Sequence, residues 1–325
     1  MRILLTGGTG FIGGETLRLL ADPASTTAHP AYSLRVLSRG EMPQPTVGAG
    51  VEIEPYRADL LDPDSLRGAC TGVDTVLHLA SQVGGDAELC HRVNVDGTAA
   101  LLAEAARAGV RRIVQLSTTA VYRDGVHRDL TEHQAVVEPV SATSRSRMLA
   151  ERLVLAAGGT VVRPHLVYGA GDTWVLPAVA DLLARLPHWI DDGRARISMT
   201  AVDDLARPLA ALALAPWEPV AGGRTYHACH PEPVRVRELF TLAAEALGRP
   251  APSGSLSLAE ATEALGGGSW GRRLSLLGVD HWYRSEELWR ITGCPPGPGF
   301  AARFAEHAPW YAARYGRKCS DPEVL

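Results

Sequence analysis

Thr6-Gly7-Gly8-Thr9-Gly10-Phe11-Ile12-Gly13 decides the fold. An apolar run, residues 2–6, leads into it. Helical spacing of Phe11, Leu17, Leu19 and Leu20 leads out. The glycines Gly7, Gly10 and Gly13 follow a G-x-x-G-x-x-G spacing. The first permits a tight turn, the middle one lets the backbone approach a pyrophosphate, and the last lets helix and strand pack closely. The helix N-terminus offers free N–H groups and a favourable dipole to phosphates. A plain strand-to-helix turn is the blander alternative, and the flanking strand and helix argue against it.

Apolar runs and helical stretches alternate outward from this segment. Strands are expected at Leu34–Leu37, Val51–Pro55, Thr75–Leu79, Arg112–Leu116 and Thr160–Arg163. Helices are expected from Pro63 behind an Asp62 cap, over 95–108 and over 144–157. Such alternation predicts an α/β fold, a doubly wound parallel sheet of Rossmann type. Past residue 165 the pattern loosens. Helical stretches at 176–186, 204–214 and 236–247 mix with loops such as Gly248–Ser255 and Cys294–Phe300. The expected division is a dinucleotide-binding domain over 1–164 and mainly a smaller C-terminal substrate lobe over 165–325, with some segments returning to the first.

The end of the second strand bears on which dinucleotide binds. A carboxylate there would hold a ribose 2′-hydroxyl. The chain instead reads Leu37-Ser38-Arg39, and an arginine pairs with a 2′-phosphate. This points to NADP(H) rather than NAD(H); a solvated surface arginine is the alternative.

Composition excludes other classes. The 325 residues are 46% hydrophobic and 21% charged, with a formal net charge of −4, so neither nucleic acid nor an anionic membrane is an expected partner. Five scattered cysteines (Cys70, Cys90, Cys229, Cys294 and Cys319) do not look like a disulfide framework. With no long apolar stretch, the expected location is cytoplasmic. Tyr226-His227-Ala228-Cys229-His230 invites a metal reading, but its alternation and Pro231 suggest a strand ending in a loop, and no metal is expected.

The chain resembles the extended short-chain dehydrogenase/reductase superfamily, within the NAD-dependent epimerase/dehydratase and 3β-hydroxysteroid-dehydrogenase-like groups. The likeness spans most of the chain. It rests on Thr6–Gly13, ADLLD at Ala58–Asp62, HLAS at His78–Ser81, NVDGT at Asn94–Thr98, STTAVY at Ser117–Tyr122, RPHLVYG at Arg163–Gly169 and VDDLA at Val202–Ala206. It implies that Asp59 and Leu60 flank an adenine and that Leu79, Ala80 and Ser81 line the cofactor path. It also implies that Asn94 braces the sheet near the cofactor and that Pro164 and His165 lie by the nicotinamide. A helix-capping role for Asp59 is the plainer alternative.

The family works with a Ser/Thr, a Tyr and a Lys: the hydroxyl holds the substrate oxygen, the tyrosine passes the proton, and the lysine lowers its pKa and bonds the nicotinamide ribose. Thr118, four before Tyr122, matches the hydroxyl residue, with Thr119 as backup. In the segment from Pro139 to Glu151, Thr143 stands where the tyrosine belongs and Arg147 where the lysine belongs. No Tyr-x-x-x-Lys exists elsewhere, and Lys318 is the only lysine. A threonine hydroxyl is a poor acid near neutral pH, and arginine does not readily release a proton. The proton then comes from Tyr122, His165, Tyr168, a substrate group or water, or the substrate needs little acid help, or redox turnover is lost.

The Asn and Arg that hold a nucleotide-sugar diphosphate in this family are also missing. Leu166 stands at the first position, and residues 197–204 lack the second, though Arg194 and Arg196 lie nearby. Trp174, Trp189, Trp270 and Trp282 in the substrate half suit an apolar or aromatic pocket as easily as plain core, and a small-molecule carbonyl or alcohol, such as a secondary metabolite, is the expected substrate. A cofactor-binding scaffold or regulator and a sugar epimerase or dehydratase are the alternatives. The Ala/Leu faces of 95–108 and 144–157 suit a homodimer interface, and equally burial within one chain.

Overall fold

The computed structural model describes residues 1–22, 31–40, 51–215, 223–267 and 269–316. Lys318 and Cys319 lie outside the described residues. The first half runs β1 (Arg2–Thr6), α1 (Phe11–Ala21), β2 (Ser33–Ser38), β3 (Glu52–Arg57), β4 (Thr75–His78), α2 (Ala87–His91), α3 (Gly97–Ala108), β5 (Arg112–Leu116), β6 (His127–Leu130), α4 (Ala142–Ala156) and β7 (Thr160–Arg163). Then follow β8 (Leu166–Tyr168), α5 (Val175–Arg185), β9 (Trp189–Ile190), β10 (Arg196–Ile197), β11 (Met199–Ala201), α6 (Val202–Leu214), β12 (Arg224–His227), β13 (Val234–Arg235) and α7 (Val236–Ala246). The chain closes with β14 (Ser255–Leu256), α8 (Leu258–Ala264), α9 (Ser269–Gly278), β15 (His281–Tyr283), α10 (Glu286–Thr292) and α11 (Phe300–Tyr315).

The central sheet has seven strands in the order β12-β7-β5-β4-β1-β2-β3, all parallel. It is the doubly wound sheet that the alternation predicts. The strand order reverses between β1 and β4, so the Gly7–Gly13 turn sits at the crevice where such sheets bind ligands. Strands β1, β4, β5 and β7 are almost wholly buried, as a sheet covered on both faces requires.

Leu17 and Leu20 of α1 join Leu205, Leu209 and Ala213 of α6 on one face, and Leu101 and Ala105 of α3 join Val154 of α4 on the other. Helix α6 and strand β12 both come from the chain beyond residue 165. A separate core holds α5, α7 and α11 together around Leu176, Leu239 and Phe304. A four-stranded sheet, β13-β10-β15-β6, lies apart from the large one.

Two expected elements differ. The helix from Pro63 is a single 3-10 turn, Pro63–Leu66, with Asp62 capping the Asp64 N–H. The helix expected from residue 95 begins at Ala87 and runs through a π-helical stretch, Arg92–Asp96, into α3. The widened turn brings Asn94 inward, where its amide bonds the Gln82 backbone and the Ser146 hydroxyl.

Candidate active site

The glycine turn meets the requirements of a dinucleotide cradle. Gly7 has φ +76°, and a Cβ there would lie 2.6 Å from the Ala80 amide nitrogen. A Cβ at Gly13 would collide with the Gly7 carbonyl oxygen, so helix and turn pack backbone to backbone. Gly10 is the N-cap of α1 and gives it no side-chain cap, which leaves the first-turn N–H groups to a ligand. Phe11 and Ile12, partly buried, open that turn.

The floor of the cradle is tied to the sheet. The Ala80 N–H donates to the Thr6 hydroxyl (3.2 Å), and that hydroxyl pairs with His78 Nδ1 (2.7 Å). His78 Nε2 meets Thr98 (3.0 Å), and burial lowers the His78 pKa to about 4. Leu79 is buried behind this chain, and Ala80 and Ser81 are partly exposed along it.

At the far end of the crevice, Ser38 turns its hydroxyl to the Gly40 carbonyl (2.7 Å), and Arg39 is exposed with no ion-pair partner among the described residues. Asp59 accepts from the Leu61 N–H (3.0 Å), and Leu60 is buried against Gly97. Asn94 braces the Gln82 loop and α4 through its amide, and its carbonyl oxygen accepts from the Gln82 N–H at 2.7 Å.

The reaction wall departs from the Ser/Thr-Tyr-Lys arrangement. Thr118 caps the short turn after β5, accepting from the Ala120 N–H at 3.1 Å, and its own hydroxyl proton stays available to a substrate oxygen. Thr143, in the first turn of α4, accepts from the Gly84 N–H (3.3 Å) and lies 3.6 Å from Cys90 Sγ. Arg147, one helical turn on, donates to Ser81 Oγ and the Leu116 carbonyl, both at 2.9 Å. Burial lowers the Arg147 pKa to about 10, which still leaves it charged at neutral pH. Arg147 thus ties Ser81 to the end of β5.

Tyr122 has to be corrected as a proton donor. It is 2% exposed, and burial raises its pKa to about 12. Its hydroxyl accepts from Arg163 (2.9 Å) and meets His227 Nε2 (2.6 Å). His227 Nδ1 faces the Arg284 carbonyl at 3.0 Å, so it carries the ring proton, and Nε2 accepts the proton of Tyr122. Burial holds His227 neutral, with its pKa lowered to about 4. Tyr168 is also interior, packed on Phe300, and burial raises its pKa.

His165 follows the Pro164 whose carbonyl accepts from the Thr119 N–H (2.9 Å). Its Nδ1 pairs with the Thr119 hydroxyl at 2.7 Å, while its Nε2 is buried with no hydrogen-bond partner among the described residues. Burial, together with His281, His127 and His227, holds its pKa well below the usual histidine range. The ring sits 5.7 Å from His281 and 5.4 Å from Tyr283, a grouping that sequence reasoning missed. The turn after β5, the link from β7 to β8 and strand β15 bring it together, and no local pattern joins segments so distant in the chain.

In the Tyr226–His230 stretch, His227 is committed to Tyr122 and Arg284, and His230 to the Gly297 carbonyl. Nearby Arg194 pairs with Asp192, and the Arg196 backbone N–H is held by Asp280.

The model of the family described as NAD dependent epimerase/dehydratase matches residues 3–227. A 4-hydroxy-2-methyl-3-oxo-4-farnesyl-3,4-dihydroquinoline-1-oxide ketoreductase of Stigmatella aurantiaca is 32% identical, over 83% of this chain and 81% of its own. A 2-alkyl-3-oxoalkanoate reductase of Stenotrophomonas maltophilia is 29% identical, over 98% of this chain and 93% of its own. Among solved structures, a dTDP-glucose 4,6-dehydratase from Streptomyces venezuelae with NAD bound aligns with a TM-score of 0.76 at 24% identity, covering 96% of this chain and 97% of that one. The glycine cradle, the sheet order and these likenesses agree: the chain belongs to the NAD dependent epimerase/dehydratase family and is an oxidoreductase-type enzyme of the extended short-chain dehydrogenase/reductase superfamily.

Proposed function

We propose that this protein is an NADP(H)-dependent ketoreductase that interconverts a ketone and a secondary alcohol on a small organic molecule, without a tyrosine acid. The observation that carries this reading is the pairing of an intact dinucleotide cradle with a reaction wall that keeps its hydroxyl, Thr118, and its cation, Arg147. The names of the two relatives above, both reductases of oxo compounds, support the substrate class. When bound, NADPH supplies the hydride.

Phosphates would be held by the first-turn N–H groups of α1, and the 2′-phosphate by Arg39 with Ser38 beside it. Arg147 places a fixed positive charge by the ribose. Thr118 donates to the substrate oxygen and orients the carbonyl. The proton for the alkoxide comes from water or from a hydroxyl of the substrate, because Tyr122 and Tyr168 are committed inside and His165 is neutral. A cytoplasmic location and a homodimer built on α3 and α4 belong to the same reading. Free Cys70, Cys90, Cys229 and Cys294 support the first. Among the described residues no helix is long and apolar enough to cross a membrane.

The test is oxidation of NADPH and NADH with a panel of ketones by wild type and Arg39→Ala. NADPH is expected to be preferred by wild type. The variant should lose roughly tenfold or more of that preference, the worth of one charge-assisted phosphate contact. Equal use of both cofactors by wild type would refute the NADP assignment, and no turnover with any carbonyl would refute the ketoreductase reading.

A further inference from the structure

A pocket of about 480 Å³ opens beside the reaction wall, lined chiefly by Leu166, Trp174, Ala178, Leu182, Trp270 and Leu277. Two features join it to the reaction site. Leu166 directly follows His165, whose ring bonds Thr119 next to Thr118. On the other side the Trp174 ring edge comes up against Gly84, whose N–H bonds the Thr143 hydroxyl. The pocket thus reaches the Gly84 loop beside the start of α4 through Trp174, and its Leu166 is one residue along the chain from His165.

Its chemistry is one-sided. Among the described lining residues the only charged group is Asp181, and Asp181 is paired with Arg185 at 2.7 Å. The Arg185 guanidinium, 5.5 Å over the Trp270 ring, is already neutralised by Asp181, so a diphosphate placed there would find no unpaired cation among the described lining residues. The mouth is built in advance. Asp172, 1% exposed, accepts from the N–H groups of Trp174, Val175 and Leu176 at 2.7, 2.9 and 2.8 Å, and Tyr311 donates to it at 3.0 Å. This clamp holds the first turn of α5 and leaves Trp174 60% exposed, an apolar wall facing open space. Pockets of this size and lining bind apolar ligand groups in a preformed shape.

We propose that this pocket is the subsite for an apolar arm of the substrate, a hydrocarbon chain or fused ring system on the order of ten carbon atoms, attached to the carbonyl presented to Thr118. The assignment rests on the ketoreductase reading above and names its substrate class: an oxo compound with an extended hydrophobic tail, and not a nucleotide sugar.

Two measurements separate this subsite from the redox reading. The first needs no turnover: calorimetric binding of 1-butanol through 1-octanol to wild type, Ala178→Phe and Trp174→Ala. The second is the KM of methyl 3-oxoalkanoates of increasing length in NADPH oxidation. Affinity is expected to rise about fourfold per methylene buried, and KM to fall in step. Ala178→Phe, which fills the pocket, should erase both trends. Trp174→Ala, at an exposed position, should weaken both trends and serves as the second variant if Ala178→Phe does not fold.

Chain-length-independent binding and KM in wild type would overturn the proposal, as would trends unchanged in the folded variants. So would UDP-glucose displacing 1-octanol. Alcohols bound with rising affinity but no carbonyl reduced would keep the subsite and remove the ketoreductase reading. Carbonyls reduced with a flat KM and no alcohol bound would do the reverse.

Discussion

Replacing Glu151 by alanine should destabilise the protein by about 3–5 kcal/mol, the range for stranding one member of a buried ion pair. Glu151 and Arg163 are 2% and 6% exposed at their side chains and meet through two parallel bonds, Arg163 Nε to Oε1 at 2.9 Å and a terminal nitrogen to Oε2 at 2.5 Å. The third guanidinium nitrogen donates to Tyr122, and the Arg163 group lies 5.0 Å over that ring. Among the described residues no second carboxylate is bonded to Arg163, so the alanine variant leaves a buried cation beside a phenol. With an unfolding entropy of about 2.1 cal/mol/K per residue, a chain of 325 residues loses roughly 4–7 °C in Tm for that change. Urea denaturation followed by tryptophan fluorescence, with calorimetry for Tm, measures it.

A double variant, Glu151→Leu with Arg163→Met, removes both charges together and should recover more than half of the loss. The Tyr122 hydroxyl keeps His227 as acceptor in that background. A loss below about 1 kcal/mol in Glu151→Ala, or a double variant worse than the single, would refute the argument that the charge pair, and not the packing around it, makes this site sensitive.

Three further outcomes are expected. The kcat for ketone reduction should vary by less than about twofold from pH 6.5 to 8.5, since His165 is neutral and Arg147 charged throughout; a tenfold change per pH unit would reveal a side-chain acid. Stability should fall as pH drops from 6.5 toward 4: His78 and His227 have folded pKa values of about 4 against 6.5, so the unfolded chain binds more protons in that window. Each contributes a loss on the order of 1.4 kcal/mol per pH unit, and a flat stability between pH 7 and 5 in urea titrations would contradict it. Light scattering in solution should give twice the 34.6 kDa chain mass if α3 and α4 form a dimer interface; a monomer mass removes the dimer.

Local pattern along the chain is enough for the sheet and the cradle. Alternating apolar strands and helical stretches, with three glycines between β1 and α1, are local signals: each needs only neighbours within a few residues. The replacement of tyrosine and lysine by Thr143 and Arg147 was equally legible, because the segment from Pro139 to Glu151 keeps its spacing.

Side-chain orientation lay beyond local signals. Tyr122 looked available in its motif, yet its proton is committed to His227, 105 residues away, under a cation from β7. His165 reads in the sequence only as a neighbour of the nicotinamide; Thr119 reaches it from the turn after β5, and His281 and Tyr283 from β15. The pocket walled by Leu166, Trp174 and Trp270 forms where β8, α5 and α9 converge. Period and spacing fix which face of an element is buried, whereas which distant groups meet there depends on how the elements pack. It is the packing of distant elements that buries Tyr122 and Tyr168 and sets an apolar pocket against the Gly84 loop.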